Sequence, residues 1–358
     1  MKRLKGFDPE EYVNWKPVEA VLEPYTRLAQ QAMKAMGLKK SDPILLDLYR
    51  NLLLVRLHDT ALKRWVKTGK ISKAWLGTGE EAVTVGNLAG LEKGDLVGPM
   101  IRNAGAPLLK GMPVRESLAY YLGAGDTRTR GRDLHVGGLE YDTVTPISHV
   151  AALVPVMTGV GLGFKMRGSD RVAMTWVGDG STRTGEFHEG MNYAAVAGVP
   201  VIFVLQNNQV ALGTRTGDYS PQGLEPIAKG YGIKGYVCDG NNVLDVLQVT
   251  REAVALCRAG KGPAVIVANT FRMGGHATHD EAEARSLFTK KEFAAWGQKD
   301  PVGCYEEFLK GLDPKNAARL EAIESEVEAL VAKEAAAALD NIVGRQPAPE
   351  TVTLGVTA

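Results

Sequence analysis

Three short apolar runs limit the fold more than any other feature of the chain. Arg171 to Val177, Pro200 to Leu205 and Pro263 to Asn269 are rich in Val, Ile, Phe and Ala, and each reads as a strand. Gly185 to Ala197 and Asn242 to Ala259 read as helices between them. Apolar strands alternating with helices imply an α/β fold, a mostly parallel sheet with helices on both faces.

Outside this middle the pattern is looser. Residues 1–40 carry Pro9, Pro17 and Pro24 and read as an extended arm. Pro43 to Lys67 reads as a helix, with Ser41-Asp42-Pro43 offering an N-cap and a first-turn proline. Gly79 to Gly90 and Val114 to Leu122 read as helices, and Asp95 to Val97 as a short strand. Residues 123–148 are rich in glycine and charge, as is Arg272 to Arg285, so both read as long polar loops of the functional kind. Val150 to Phe164 is apolar all round and predicts a buried helix. The expected organisation is an arm (1–40), an α/β domain (41–313), an Ala- and Glu-rich helix (314–340) and a frayed tail (341–358).

Composition narrows the function classes. A net charge of +1 removes any bulk field for nucleic acid or membrane surfaces. Cys238, Cys257 and Cys304 are odd in number and never spaced CxxC, which fits a reducing compartment better than a disulfide framework. No run of 18 apolar residues and no signal-like N-terminus occurs, so a cytoplasmic location is expected.

The chemistry centres on VGDGSTRTGEFHEGMNYAAVAGVPVIFVLQNNQ, Val177 to Gln209: Gly-Asp-Gly, 26 residues, then Asn-Asn. A Gly-Asp-Gly alone is most simply a tight turn. Here it follows a strand and opens a helix, where free backbone N–H groups cradle phosphate. Asp179 would repel a phosphate unless a divalent cation lay between them. Asn207 and Asn208 close the next strand and arrive beside it, and a carboxylate, an amide oxygen and a carbonyl are hard ligands suited to Mg²⁺. The pattern therefore predicts an Mg²⁺–diphosphate site.

With these residues in view, the chain resembles the alpha subunit of the thiamine-diphosphate-dependent, decarboxylating first component of 2-oxo acid dehydrogenase complexes. The resemblance runs over roughly residues 41–310. It includes GTGEEA (Gly77 to Ala82), IRNAG (Ile101 to Gly105), GRDLH (Gly131 to His135), EGMNYAA (Glu189 to Ala195), KGP (Lys261 to Pro263) and FRMGGHATHD (Phe271 to Asp280). It implies the thiamine-diphosphate-binding fold, with Asp179, Asn208 and the Val210 carbonyl on Mg²⁺. Gly178, Gly180 and Ser181 would lie along the diphosphate, with Arg102 and His276 at its phosphate end. Ser148 and Val150 would meet the aminopyrimidine through backbone groups, and His276 would also be catalytic. It further implies a beta subunit in an α₂β₂ heterotetramer, a lipoyl-bearing acyltransferase partner and a small 2-oxo acid substrate.

This sequence departs from that pattern at several places. Ile101 stands where an aromatic residue is usual, and GEEA replaces GQEA, placing Glu80 where glutamine is usual. Gln206, counted among the cofactor-binding residues, stands where some members have an arginine that contacts phosphate. Ala277 takes the place of the serine phosphorylated in animal members. Ala104 in Arg102-Asn103-Ala104-Gly105 would leave room for a branched acyl group, so branched-chain 2-oxo acids are favoured over pyruvate or acetoin.

Other candidates carry less. His276, His279 and Asp280 imitate a zinc set, but on a Gly-rich loop without helical spacing. Gly159, Gly161 and Gly163 imitate a dinucleotide fingerprint but follow no strand, so an NAD-binding oxidoreductase is not supported. His58 and His188 read as structural, and His135 as either a solvated loop residue or part of the cavity mouth. A non-catalytic scaffold subunit keeping the fold is the alternative from a different class.

Overall fold

The computed structural model describes residues 15–351. Five parallel strands form its centre: β1 (Leu96–Gly98), β2 (Ala173–Gly178), β3 (Val201–Asn207), β6 (Lys234–Asp239) and β7 (Ala264–Asn269), in the order β1-β2-β3-β7-β6. A two-stranded ribbon, β4 (Val210–Ala211) with β5 (Thr214–Arg215), stands apart. The three apolar runs became β2, β3 and β7, the middle of the sheet. Successive residues split between its faces. Met174, Trp176, Ile202, Val204 and Ile266 pack in one cluster, and Val177, Val201, Phe203, Leu205 and Val265 in another. Helices Glu81–Ala89 and Val243–Arg258 cover the first face, and Leu153–Met166 and Gly185–Ala197 the second. Burying both faces explains why these runs lack polar alternation.

The largest departure from expectation is at the N-terminal side. Residues Glu19–Ala35 form a helix rather than an extended arm, despite Pro24 inside it. Tyr25, Ala29, Ala32 and Met33 make a buried stripe packed with the helices Val243–Arg258 and Pro301–Leu312. That burial offsets a proline cost of roughly 3 kcal/mol. The part of the arm before residue 15 lies outside the described residues.

Other boundaries shifted for local reasons. Helix Ile44–Lys67 has no side-chain cap, because Asp42 instead accepts from the Lys39 N–H at 2.7 Å. The edge strand β6 has no apolar run to announce it, and of its residues only Cys238 is buried. Helix Leu153–Met166 is not buried all round, since Val156 and Met166 are exposed. The second polar loop contains helix Glu281–Leu287, and Lys290–Gly297 and Pro301–Leu312 follow it. The start of the tail is docked, through Arg345, Gln346 and Pro347. Arg345 makes two 3.0 Å bonds to the Asp126 carboxylate, and its carbonyl accepts from the Gly125 N–H. Residues 352–358 lie outside the described residues. Among those described, no helix is long and apolar enough to cross a membrane.

Candidate active site

The carboxyl ends of β2 and β3 bring the two halves of the Gly-Asp-Gly and Asn-Asn pattern together. The strands pair with Gly178 opposite Gln206, so Asp179 and Asn207-Asn208 leave the sheet side by side. Asp179 opens a short 3₁₀ turn, Asp179–Arg183, and Thr184 then caps helix Gly185–Ala197. The Asp179 carboxylate is buried. Its Oδ1 accepts from the Gly180 N–H at 2.9 Å, and the Thr216 hydroxyl donates to Oδ2. Gly180 is required by space, because a Cβ there would stand 2.5 Å from the Ala211 Cβ. Across from Asp179, Asn208 Nδ2 donates to Glu80 Oε1 at 3.0 Å, and its Oδ1 accepts a long 3.4 Å bond from the Val210 N–H.

These groups line a cavity of about 670 Å³. Gly178, Asp179, Gly180 and Ser181 form one wall, with Asn208 and Val210 on another. Arg102 and His276 also line it, linked to each other, as do Ser148 and Val150 from the segment before helix Leu153–Met166. Gln206 is the exception among the residues singled out in the sequence. It shares the sheet face of Ile202 and Val204 and is fully buried behind the wall. Its Oε1 accepts from Asn103 Nδ2 at 2.8 Å, and its Nε2 donates to Glu80 Oε1 at 2.9 Å. With both ends of the amide engaged, Gln206 bears on the cavity through Glu80, not by direct contact.

Two site residues escaped the sequence reading. Arg272 lines the cavity, almost fully buried, with its Nε donating to the Gly274 carbonyl at 3.2 Å. Glu80 stands behind it with Arg102 Nε 3.5 Å from its Oε2. The available signals were a charged residue beside Phe271 at the head of a glycine-rich segment, and the GEEA departure itself. Gly79 makes this meeting possible. Its φ of +94° and missing Cβ let the backbone of Phe271 approach, where a Cβ would lie 2.7 Å from the Phe271 carbonyl oxygen. His135 proves to be buried rather than solvated. Its Nδ1 meets Asp133 Oδ1 at 2.5 Å and its Nε2 meets the Ser148 hydroxyl at 3.1 Å, which fixes the Ser148 side chain.

Charge is polarised across the cavity. Arg102 Nη1 donates to the His276 carbonyl at 2.8 Å, and burial with Arg102 nearby pushes Arg272 down to about 10. Burial, then Arg102 and Arg272, push His276 down to about 4. Two guanidiniums beside a neutral imidazole form an anion-accepting end. Burial raises the Glu80 carboxyl, with Arg102 acting against it. Among the described residues no group of three or more His, Cys, Asp or Glu side chains could hold a metal by itself.

The His276 shift gives a direct expectation. Its folded pKa lies below the ordinary 6.5, so the unfolded chain takes the proton first. Its contribution therefore lowers stability as pH falls from about 6.5 to about 4. NMR titration should show a neutral His276 ring at pH 7, and Arg272→Met should raise its midpoint. An unshifted midpoint near 6.5 would contradict the geometry.

The family model for the dehydrogenase E1 component matches residues 49–343. The chain belongs to the dehydrogenase E1 component family. It is similar to the 2-oxoisovalerate dehydrogenase subunit alpha of Bacillus subtilis, 32% identical over 285 residues, covering 77% of this chain and 84% of that one. It is equally similar to the pyruvate dehydrogenase E1 component subunit alpha of Rhizobium meliloti, 32% identical over 299 residues, covering 81% and 84%. The mouse 2-oxoisovalerate dehydrogenase subunit alpha is 32% identical over 269 residues, and the match spans 60% of its length. This E1 component is thus of the alpha-subunit type of thiamine-diphosphate-dependent 2-oxo acid dehydrogenases, which are oxidoreductases. The E1 fold is the mostly parallel sheet flanked by helices described above.

Proposed function

We propose that the chain binds thiamine diphosphate with Mg²⁺ in this cavity and, with a beta subunit, oxidatively decarboxylates a branched-chain 2-oxo acid, the acyl group passing to a lipoyl-bearing acyltransferase. The observation that carries the reading is the joining of three kinds of group in one cavity: the Asp179–Asn208 pair, the Arg102–Arg272–His276 cluster and the Ser148–Val150 segment. The donor set fits the cofactor. One carboxylate, one amide oxygen and the Val210 backbone are too few to bind a divalent ion tightly alone, so the remaining ligands would come from a diphosphate. The Gly178–Ser181 turn lines the same cavity, and an added Cβ at Gly178 would meet only the Ser181 hydroxyl at 3.9 Å, which leaves room for a phosphate to approach the backbone of this turn.

When bound, thiamine diphosphate supplies the nucleophilic carbon that attacks the 2-carbonyl. The protein's own residues orient and shield. Arg102 and Arg272 would hold the phosphate end. Ser148 and Val150 would hold the aminopyrimidine through backbone groups, with His135 bracing the Ser148 hydroxyl at 3.1 Å. His276, neutral at neutral pH, can exchange a proton with a reacting oxygen. Ile101, Leu134 and Ile147 present apolar surface for the acyl chain. Ala104 does not line this cavity; it lies beside Ile101, Leu134 and Tyr121 in a small apolar pocket behind it. The preference for branched acyl groups therefore rests on the three larger apolar residues rather than on the space Ala104 would leave.

The cavity's own chemistry supports a beta subunit. Among the described residues its lining carboxylates are Asp179 and Asp133, and Asp133 is engaged by His135, so the acid that would activate the aminopyrimidine is one a beta subunit would supply. Ile147, Val150 and Leu212 leave apolar surface exposed on the lining, consistent with a covering chain. The expected result is little oxidative decarboxylation by the purified chain alone and robust turnover with its beta subunit. In that complex 2-oxoisovalerate should be turned over with the higher kcat/KM. A strong pyruvate preference would replace the branched-chain reading with the pyruvate one, which the Rhizobium relative's name also suggests.

A further inference from the structure

We propose that Glu80 is a positioning residue that fixes which end of the Asn208 amide faces the cavity. The proposal rests on the metal-binding reading above and deepens it. Glu80 is 1% exposed, yet it touches both the Asn208 side of the cavity and the Arg102 end. Its Oε1 accepts from Asn208 Nδ2 at 3.0 Å and from Gln206 Nε2 at 2.9 Å, while its Oε2 lies 3.5 Å from Arg102 Nε.

An amide side chain can present either its oxygen or its NH₂, and only the oxygen ligates a divalent cation. Glu80 Oε1 is the shared acceptor of two amide NH₂ groups, so Asn208 turns its NH₂ toward Glu80 and its oxygen away. Gln206 reinforces the choice from behind, with its own oxygen occupied by Asn103 Nδ2 at 2.8 Å. The Glu80 backbone is itself held. Its N–H donates to the Gly77 carbonyl at 2.9 Å, and the Gly77 N–H donates to Asp59 Oδ2 at 2.7 Å. On its other side the Arg102 guanidinium meets the His276 carbonyl at 2.8 Å and approaches His276 Nδ1 at 3.4 Å. Glu80 and His276 thus bracket Arg102, with the His276 carbonyl holding its guanidinium and the Glu80 carboxylate lying beside it.

Two conservative variants separate reach from charge. Glu80→Asp keeps the charge but withdraws it by one methylene, out of reach of Asn208. Glu80→Gln keeps the acceptor in place without the charge. Both are measured in the complex with the beta subunit, by calorimetric titration of thiamine diphosphate at graded Mg²⁺ and by the Mg²⁺ concentration giving half-maximal cofactor binding. Glu80→Asp should raise that concentration about tenfold or more, in the range found for residues that orient metal ligands. Glu80→Gln should raise it no more than about threefold, because the acceptor that orients Asn208 is still there. At saturating Mg²⁺ and cofactor, kcat and the KM for the 2-oxo acid should return to near wild-type values in both, which a merely structural defect would not allow. The proposal is overturned if Glu80→Asp binds like wild type, if Glu80→Gln loses as much as Glu80→Asp, or if excess Mg²⁺ fails to restore kcat. A wild-type complex without Mg²⁺-dependent binding would instead remove the proposed function, and this inference with it.

Discussion

Replacing Asp179 with Asn should weaken Mg²⁺-dependent thiamine diphosphate binding by at least about 100-fold, or about 2.8 kcal/mol at 1.4 kcal/mol per tenfold. The substitution is nearly isosteric, so it tests charge rather than shape. In wild type the carboxylate is buried against the Gly180 N–H at 2.9 Å and the Thr216 hydroxyl. Those two donors leave it a rigid anion at the cavity wall. It is the charged group among the three proposed to hold the cation, beside an amide and a carbonyl. Without it the cation loses charge compensation on the protein side and the diphosphate meets a less neutralised wall. Calorimetric titration of the complex with and without Mg²⁺ reads the loss, and the melting temperature without ligand checks that folding persists. Near-normal Mg²⁺-dependent binding by Asp179→Asn would place the metal elsewhere and end the assignment of Asp179 and Asn208.

The second large effect is on stability. Arg56 is fully buried, with Nε on Glu81, Nη2 2.6 Å from Asp300 Oδ1, and its guanidinium 4.9 Å from the Trp15 ring centre. Asp300 in turn caps helix Pro301–Leu312 by accepting from the Gly303 N–H at 2.8 Å. Arg56→Met should cost about 3–5 kcal/mol, because it leaves buried carboxylates without their cation. Adding Asp300→Asn to Arg56→Met should recover part of that loss, since burial already raises the Asp300 carboxyl above its ordinary range. Urea unfolding of single and double variants measures both. A cost below about 1 kcal/mol would show that solvent reaches the cluster. The link to function is short. Glu81 Oε2 accepts from the Gly79 N–H at 2.9 Å, so the same cluster steadies the turn that presents Glu80.

The sheet and its cavity were legible because both are written in local patterns. Apolar strands need no long-range information when each is buried on both faces, and β2, β3 and β7 are. The Gly-Asp-Gly turn and the Asn-Asn strand end were readable for the same reason: each is set by its own backbone, and the parallel pairing of adjacent strands puts them together. The edge strand β6 was not legible, since an edge half in solvent needs no apolar run. Helix Glu19–Ala35 was hidden by prolines whose local cost is outweighed only by packing against residues more than 200 positions away.

What the sequence determined by itself, then, was the fold class and the chemistry of the walls: an acid between glycines, an amide pair one unit later, arginine and histidine in their own motifs. Tertiary structure decided which buried polar groups serve those walls. Gln206 lies on the hidden face of β3, its amide oxygen facing Asn103 and its NH₂ facing Glu80. Arg272 is carried into the cavity by a segment that approaches because Gly79 has no side chain. Glu80 gathers Asn208, Gln206 and Arg102, residues between 22 and 128 positions away. The physical reason is the same in each case. A buried polar atom must find its partner wherever the fold supplies one, and that partner is set by side-chain direction and packing across elements, not by spacing along the chain.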